Sequence, residues 1–160
     1  MNIRSATTAD VPLILDFIKA LAEYERLADR VVATEDKVRA TLFGNPRYAE
    51  VIIAEDGGEP VGFALFFHNY STFLAQPGIY LEDLFVKPEA RGKGFGKALL
   101  ARLAQIAKSR NCGRVEWAVL DWNEPSIRFY ESIGAVGLDD WRIFRLAGDA
   151  LTSLANSGAE

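Results

Sequence analysis

Residues able to do chemistry gather at two adjoining places. The first is an acidic run, Tyr80-Leu81-Glu82-Asp83-Leu84-Phe85-Val86; the second, just behind it, is Lys87-Pro88-Glu89-Ala90-Arg91-Gly92-Lys93-Gly94-Phe95-Gly96-Lys97. Glycines let backbone N–H groups converge on one point with no side chain in the way. A helix beginning near Gly94 adds unpaired first-turn N–H groups and the positive end of its dipole. A junction of this kind holds an anion, usually phosphate. Lys87, Arg91, Lys93 and Lys97 surround it against Glu89 alone, in a chain of net charge −4. A basic turn on an acidic protein suits a pyrophosphate. Two familiar phosphate loops are excluded. Gly92 and Gly96 enclose three residues where a P-loop has four, and Ala98 follows Lys97 where a P-loop has Ser or Thr. The third glycine of the dinucleotide fingerprint would fall at Lys97.

In a strand, alternation puts Tyr80, Glu82, Leu84 and Val86 on one face and Leu81, Asp83 and Phe85 on the other. Glu82 and Asp83 then share a face only if a bulge interrupts the strand. From residue type alone, Glu82 is either a salt-bridge partner or a general base, since a carboxylate in a strand interior needs a partner.

Several elements must position these groups. Asn2–Ala6 reads as a short strand. A helix start at Thr7-Thr8-Ala9-Asp10 precedes Val11, Ile14, Leu15, Ile18, Leu21 and Ala22, which form one helical face. A second helix is expected over Thr34–Phe43, stopped by Gly44-Asn45-Pro46. Tyr48–Glu55 and Pro60–His68 read as strands joined by the hairpin residues Asp56-Gly57-Gly58-Glu59, and Tyr70–Gly78 as a loop. Ile79–Val86 is a strand, Gly94–Arg110 an apolar helix and Arg114–Leu120 a strand. Glu124–Ile133 is a helix capped by Asn123, with Pro125 in its first turn and Gly134 as its stop. Trp141–Leu146 reads as a last strand and Ala150–Ala155 as a short helix. This order gives an α/β (α+β) fold, a central sheet with helices on both faces.

Composition narrows the rest. One hundred and sixty residues, 49% hydrophobic and 25% charged, match one ordinary globular domain over residues 1–160. The acidic balance argues against nucleic acid. The longest apolar run, Val61–Phe67, is too short for the ~20 residues of a membrane span, and nothing near Met1 reads as a signal peptide. Cys112 is the only cysteine, which rules out an internal disulfide and fits a reducing cytoplasm. His68 is the only histidine, so a multi-histidine metal site is excluded and no metal is expected.

Arg91-Gly92-Lys93-Gly94-Phe95-Gly96 resembles the Arg/Gln-x-x-Gly-x-Gly/Ala signature of the GNAT N-acetyltransferase superfamily. With Tyr80–Val86 before it and Ala118-Val119-Leu120-Asp121-Trp122-Asn123-Glu124-Pro125-Ser126-Ile127-Arg128-Phe129-Tyr130 after it, the chain is similar to the diamine and thialysine N-epsilon-acetyltransferase branch. The likeness spans about Asn2 to Leu146, including Tyr24-Glu25 and Trp141-Arg142.

That resemblance implies a mixed, largely antiparallel sheet with a bulge in the carboxylate strand. It implies acetyl-CoA as cofactor and direct attack of an amine on the thioester. An amine of pKa near 10 must lose a proton first. Glu82 is the implied base, acting through water, and Tyr130 the implied acid for the departing thiolate. Leu84, Phe85 and Val86 would hold the pantetheine arm and polarise the acetyl carbonyl through their backbone. Arg91 to Lys97 would hold the pyrophosphate, namely Arg91, Gly92, Lys93, Gly94, Phe95, Gly96 and Lys97. Asn123, Glu124, Pro125 and Ser126 would lie beside the cofactor. Tyr24, Glu25, Glu82, Asp83, Glu116, Trp117, Ala118 and Trp141 would receive a small cationic amine, carboxylates against aromatic faces. Each also has a structural reading: Asn123 as a helix cap, Phe129 and Tyr130 as packing, the acids as solvated surface. Thr72 stands where the diamine enzymes carry an acid, which favours a thialysine- or lysine-like amine over spermine. The branch commonly forms homodimers. Other readings are a protein or peptide N-acetyltransferase and a non-catalytic acyl-CoA sensor, to which an intact Glu82 and Tyr130 would be useless.

Overall fold

Alternating and continuous apolar runs in the first 120 residues build a five-stranded sheet in the structure, a computed structural model that describes residues 1–158. The chain divides into two compact units, Met1–Leu120 and the part from Asp121 onward, and each is described by itself.

In the first unit the strands are β1 (Asn2–Ser5), β2 (Glu50–Asp56), β3 (Glu59–Ser71), β4 (Gln76–Val86) and β5 (Val115–Trp117), adjacent in chain order. The first four pair antiparallel and β5 runs parallel to β4. Gly57 and Gly58, both at positive φ, make the β2–β3 hairpin as expected. The expected loop over 70–78 shrinks to residues 72–75, because Ser71 pairs with Gln76 and Asn69 with Gly78. Backbone pairing carries both strands past the point where apolar alternation stops. The expected strand over 114–120 is only three residues long, because its ladder to β4 ends at Leu81–Trp117.

Helices α1 (Val11–Tyr24) and α2 (Glu35–Phe43) cover one face. Ile14, Phe17 and Leu21 of α1 and Val38 and Leu42 of α2 meet Val51, Ile53, Phe63 and Phe85 in one buried cluster. Phe17 stacks on Phe63 with ring centroids 5.3 Å apart. Each such side chain, fully buried, contributes about 1.5–3 kcal/mol. Ile52, Ala54, Ala64 and Phe66, on the other face, are buried as well, with Leu99 and Leu103 of α3 (Phe95–Ser109). Arg4 ties the start of the fold together, reaching Asp10 at 2.8 Å and Glu55 of β2 at 2.6 Å. That guanidinium, with the Thr7 N–H, holds the Asp10 carboxyl down at about 2.

The second unit holds α4 (Glu124–Ser132) and α5 (Gly148–Ser157), the latter longer than expected. The expected strand over Trp141–Leu146 is absent. That segment joins no ladder among the described residues, and Trp141, Ile143 and Phe144 are exposed. A strand needs a partner edge, which local alternation cannot supply.

Candidate active site

The decisive local feature is in β4. Phe66 of β3 pairs with Leu81, but the next β3 residue, Leu65, pairs with Asp83, so Glu82 is an extra residue in a bulge. Beyond the bulge the alternation is reversed. Asp83 and Phe85 turn toward the α1 side, the side of Phe63, which a regular strand would have given to Glu82 and Leu84. Tyr80, paired with Phe67 before the bulge, lies on this same face. The bulge thus removes the objection that Glu82 and Asp83 stand on opposite faces.

The acids lie near enough to act on one another's charge. Burial, with the charges of Glu82 and Glu25 added, pushes the Asp83 carboxyl up to about 6. Burial also raises the Glu25 carboxyl. Glu25 follows the last residue of α1, and Arg26 beside it adopts a left-handed conformation that ends the helix. Burial, then Glu82 and Glu116, raise the Tyr80 phenol. Glu116 of β5 pairs with Arg114 and accepts a hydrogen bond from Asn69 Nδ2 at 3.3 Å. Asn69 Oδ1 is buried with no hydrogen-bond partner among the described residues. Glu25, Glu82, Asp83 and Glu116 therefore form an acidic band beside Tyr80, and Glu82 itself is solvent-exposed. Tyr80 and Asn69 adjoin this band, although sequence reasoning assigned neither a role at the site. The Phe67–Tyr80 and Asn69–Gly78 pairings are the signal, and they need the register.

The β4–β5 ladder stops at Leu81, next to the bulge, so from Glu82 to Val86 one edge of β4 has no neighbouring strand among the described residues. Leu84, Phe85 and Val86 lie along that edge, while Trp117 ends β5 and Ala118 follows it. The edge leads into a short 3-10 turn, Pro88–Ala90, and then to the glycine turn. Ala90 and Phe95 are buried and anchor its two ends. Between them Gly92 and Gly94 have φ of +76° and +88°, and nothing lies within 4 Å of where a Cβ would stand on either. No side chain caps α3 and no acid sits in its first turn. Ala98 is the first residue whose N–H is taken up by the helix, donating to Gly94 O. The N–H groups of Phe95, Gly96 and Lys97 precede it, with Lys93 and Lys97 exposed alongside. This is an open amide cradle of the kind a pyrophosphate fits.

Arg91 does something the motif does not reveal. Its Nε donates to Val86 O at 3.0 Å, and its guanidinium lies 4.7 Å from the Tyr24 ring centroid and 5.8 Å from that of Phe85. The turn is thus tied to the end of α1, where Tyr24 and Glu25 sit.

In the second unit, Asn123 caps α4 as expected, its Oδ1 accepting from Ser126 N at 3.4 Å. Glu124, Pro125 and Ser126 form the first turn. Tyr130 is half-buried, 5.5 Å from the Phe129 ring. Trp141 lies outside α4 and is exposed.

Comparison with known proteins agrees with this arrangement. The sequence profile of the acetyltransferase (GNAT) family matches residues 16–135. A thialysine N-epsilon-acetyltransferase of Bos taurus is 39% identical, covering 96% of each chain. An L-ornithine N5-acetyltransferase of Arabidopsis thaliana is 36% identical over 96% of this chain and 87% of its own. Among solved structures, an integron cassette protein from the mobile metagenome of V. cholerae superposes with a TM-score of 0.81 at 30% identity over 96% of both chains. The fold alone is shared with a ribosomal-protein-alanine N-acetyltransferase of Brucella melitensis, TM-score 0.74 at 22% identity over 92% of this chain and all of that one. A profile match that takes in the bulged strand and the amide turn, and relatives alike along nearly their whole length, place the chain in the GNAT family of acetyl-CoA-dependent N-acetyltransferases.

Proposed function

We propose that this enzyme acetylates a primary amine on a small cationic acceptor of the thialysine, ornithine or lysine type. The observation that carries the reading is the bulge at Glu82, which gathers carboxylates on one face of β4 beside the unpaired strand edge leading to the amide turn. A cationic amine is attracted by Glu25, Glu82, Asp83 and Glu116, with Tyr24 and Trp117 as aromatic walls. The names of the thialysine and ornithine relatives support this acceptor class.

Bound acetyl-CoA supplies an acetyl thioester. The open cradle at Gly92 and Gly94 fits its pyrophosphate, held by the amides from Arg91 to Lys97 and by Lys93 and Lys97. Backbone groups of Leu84 to Val86, on the unpaired edge, hold the pantetheine arm and polarise the carbonyl. Glu82, exposed next to half-buried Asp83, takes the amine proton through water. Tyr130 gives a proton to the departing thiolate, and Asn123 to Ser126 lie beside the cofactor. Both units would then act as one acetyltransferase domain. The exposed apolar side chains Val136, Leu138, Trp141, Ile143 and Phe144 support a homodimer that covers them. No helix among the described residues is long and apolar enough to cross a membrane. A single cysteine and a small polar acceptor fit the cytoplasm.

Release of free thiol from acetyl-CoA against a panel of amines tests the reading. Turnover is expected with thialysine, ornithine or lysine, and weaker turnover with spermine. Acetylation of peptides alone would replace the acceptor, and cofactor binding without any turnover would leave a sensor.

A further inference from the structure

A cavity of about 270 Å3 lies at the other end of α3 from the amide turn. Arg102 and Ile106 from the second half of α3 form one wall, with Arg110 just past its end. Arg47, Glu50 and Phe66 close it from the segment before β2, from β2 and from β3. The amide turn is at the opposite end of α3, a helix of 15 residues and so ~22 Å long. Nothing in the acetyl-transfer chemistry uses these residues.

The cavity has an uncompensated charge. Arg110 holds Glu50 with both forks, Nη1 to Oε1 at 2.5 Å and Nη2 to Oε2 at 2.9 Å, so this acid and this base cancel. Arg47 and Arg102 have no carboxylate within salt-bridge distance among the described residues. Arg47 donates through Nε to Ala49 O at 3.1 Å, lies 5.7 Å from the Phe43 ring centroid and, with Arg110, lowers the Glu50 carboxyl, so three guanidinium groups face one carboxylate. Arg102 makes one long bond, from Nη1 to Gln105 Oε1 at 3.4 Å. Two guanidinium forks on one cavity match a doubly charged oxyanion in both charge and planar geometry. Among the apolar lining residues Ile106 is half-buried, whereas Phe66 is fully buried with the Arg110 guanidinium 6.0 Å from its ring centroid.

We propose that this cavity binds a small phosphate monoester, its dianionic head between Arg47 and Arg102 and its apolar part against Ile106. The inference is independent of the acceptor assignment, because no residue is shared with the active site. Phenyl phosphate is the probe, titrated into the 15N-labelled full chain at constant ionic strength so that screening does not change. Amide shifts are expected at Val51, Ser109 and Arg110. Arg47→Gln with Arg102→Gln should weaken binding at least tenfold, whereas Lys93→Gln with Lys97→Gln, at the amide turn, should change it less than twofold. Inorganic phosphate and phenylacetate should each bind several-fold more weakly, the first lacking the apolar part and the second the second charge. Both arginines are exposed, so the variant should keep its melting temperature; the single Arg102→Gln serves if the pair does not. Shifts confined to residues 92–97, or equal affinity in the arginine variant, would overturn the site. Phenylacetate binding as tightly as phenyl phosphate would overturn the dianion.

Discussion

Asp83 shows how a single side chain weighs on stability. Its carboxyl titrates at about 6 rather than its ordinary 3.8, through burial and the neighbouring charges of Glu82 and Glu25. An acid with a raised folded pKa binds more protons folded than unfolded between these values, so stability falls as pH rises through 6. Ionised at pH 8, it costs on the order of 3 kcal/mol. Asp83→Asn should therefore raise the melting temperature by roughly 5–10 °C at pH 8 and change it little at pH 4. Thermal unfolding at the two pH values measures this, and an equal shift at both would mean that Asp83 does not titrate in this way. The same variant should lose turnover. In the proposed function, an ammonium acceptor bound beside Asp83 would relieve this half-buried charge.

Among the elements, β4 carries most of the argument, and it shows how far a sequence can be read. Its position, its acids and the turn behind it were visible in residue types and glycine spacing. The reversal of faces at Glu82 was not, because a bulge is a property of two strands in register and Leu65–Asp83 can be seen only once β3 is in place. The early end of β5 has the same cause. Asn123 was legible because a cap is local, needing only Ser126 three residues on. The stack of Arg91 on Tyr24 was hidden, since the two lie 67 positions apart and no pattern joins them. It also has a kinetic consequence. Cation–π contacts of this kind are worth ~0.5–2 kcal/mol. If Arg91 holds the end of α1, Arg91→Met should raise KM for the amine about threefold to tenfold as well as KM for acetyl-CoA. Tyr24→Leu should raise the amine KM alone. Initial-rate kinetics with both substrates varied decide the matter, and an Arg91→Met effect on acetyl-CoA alone would show that the stack does not support the acceptor wall.

At the level of the whole molecule, the sheet with helices on both faces followed from the order of strands and helices, and the continuous apolar runs of β2 and β3 agree, since both their faces are buried. The segment 141–146 did not follow. Its alternation is strand-like, yet Trp141, Ile143 and Phe144 stay exposed without a ladder. Burial depends on what lies opposite, and nothing local to six residues encodes that. The proposed function depends on bare backbone at one strand–helix junction holding a diphosphate. Calorimetric titration of acetyl-CoA into the wild-type protein and into Gly92→Ala is the most direct measurement of that claim. A Cβ at Gly92 meets no protein atom within 4 Å but stands in the open cradle, at a φ of +76° that disfavours alanine by ~1 kcal/mol. Heat of binding in the wild type, with affinity at least tenfold lower in the variant, is the expected result. No heat from the folded wild type, or the same affinity in both, would contradict it.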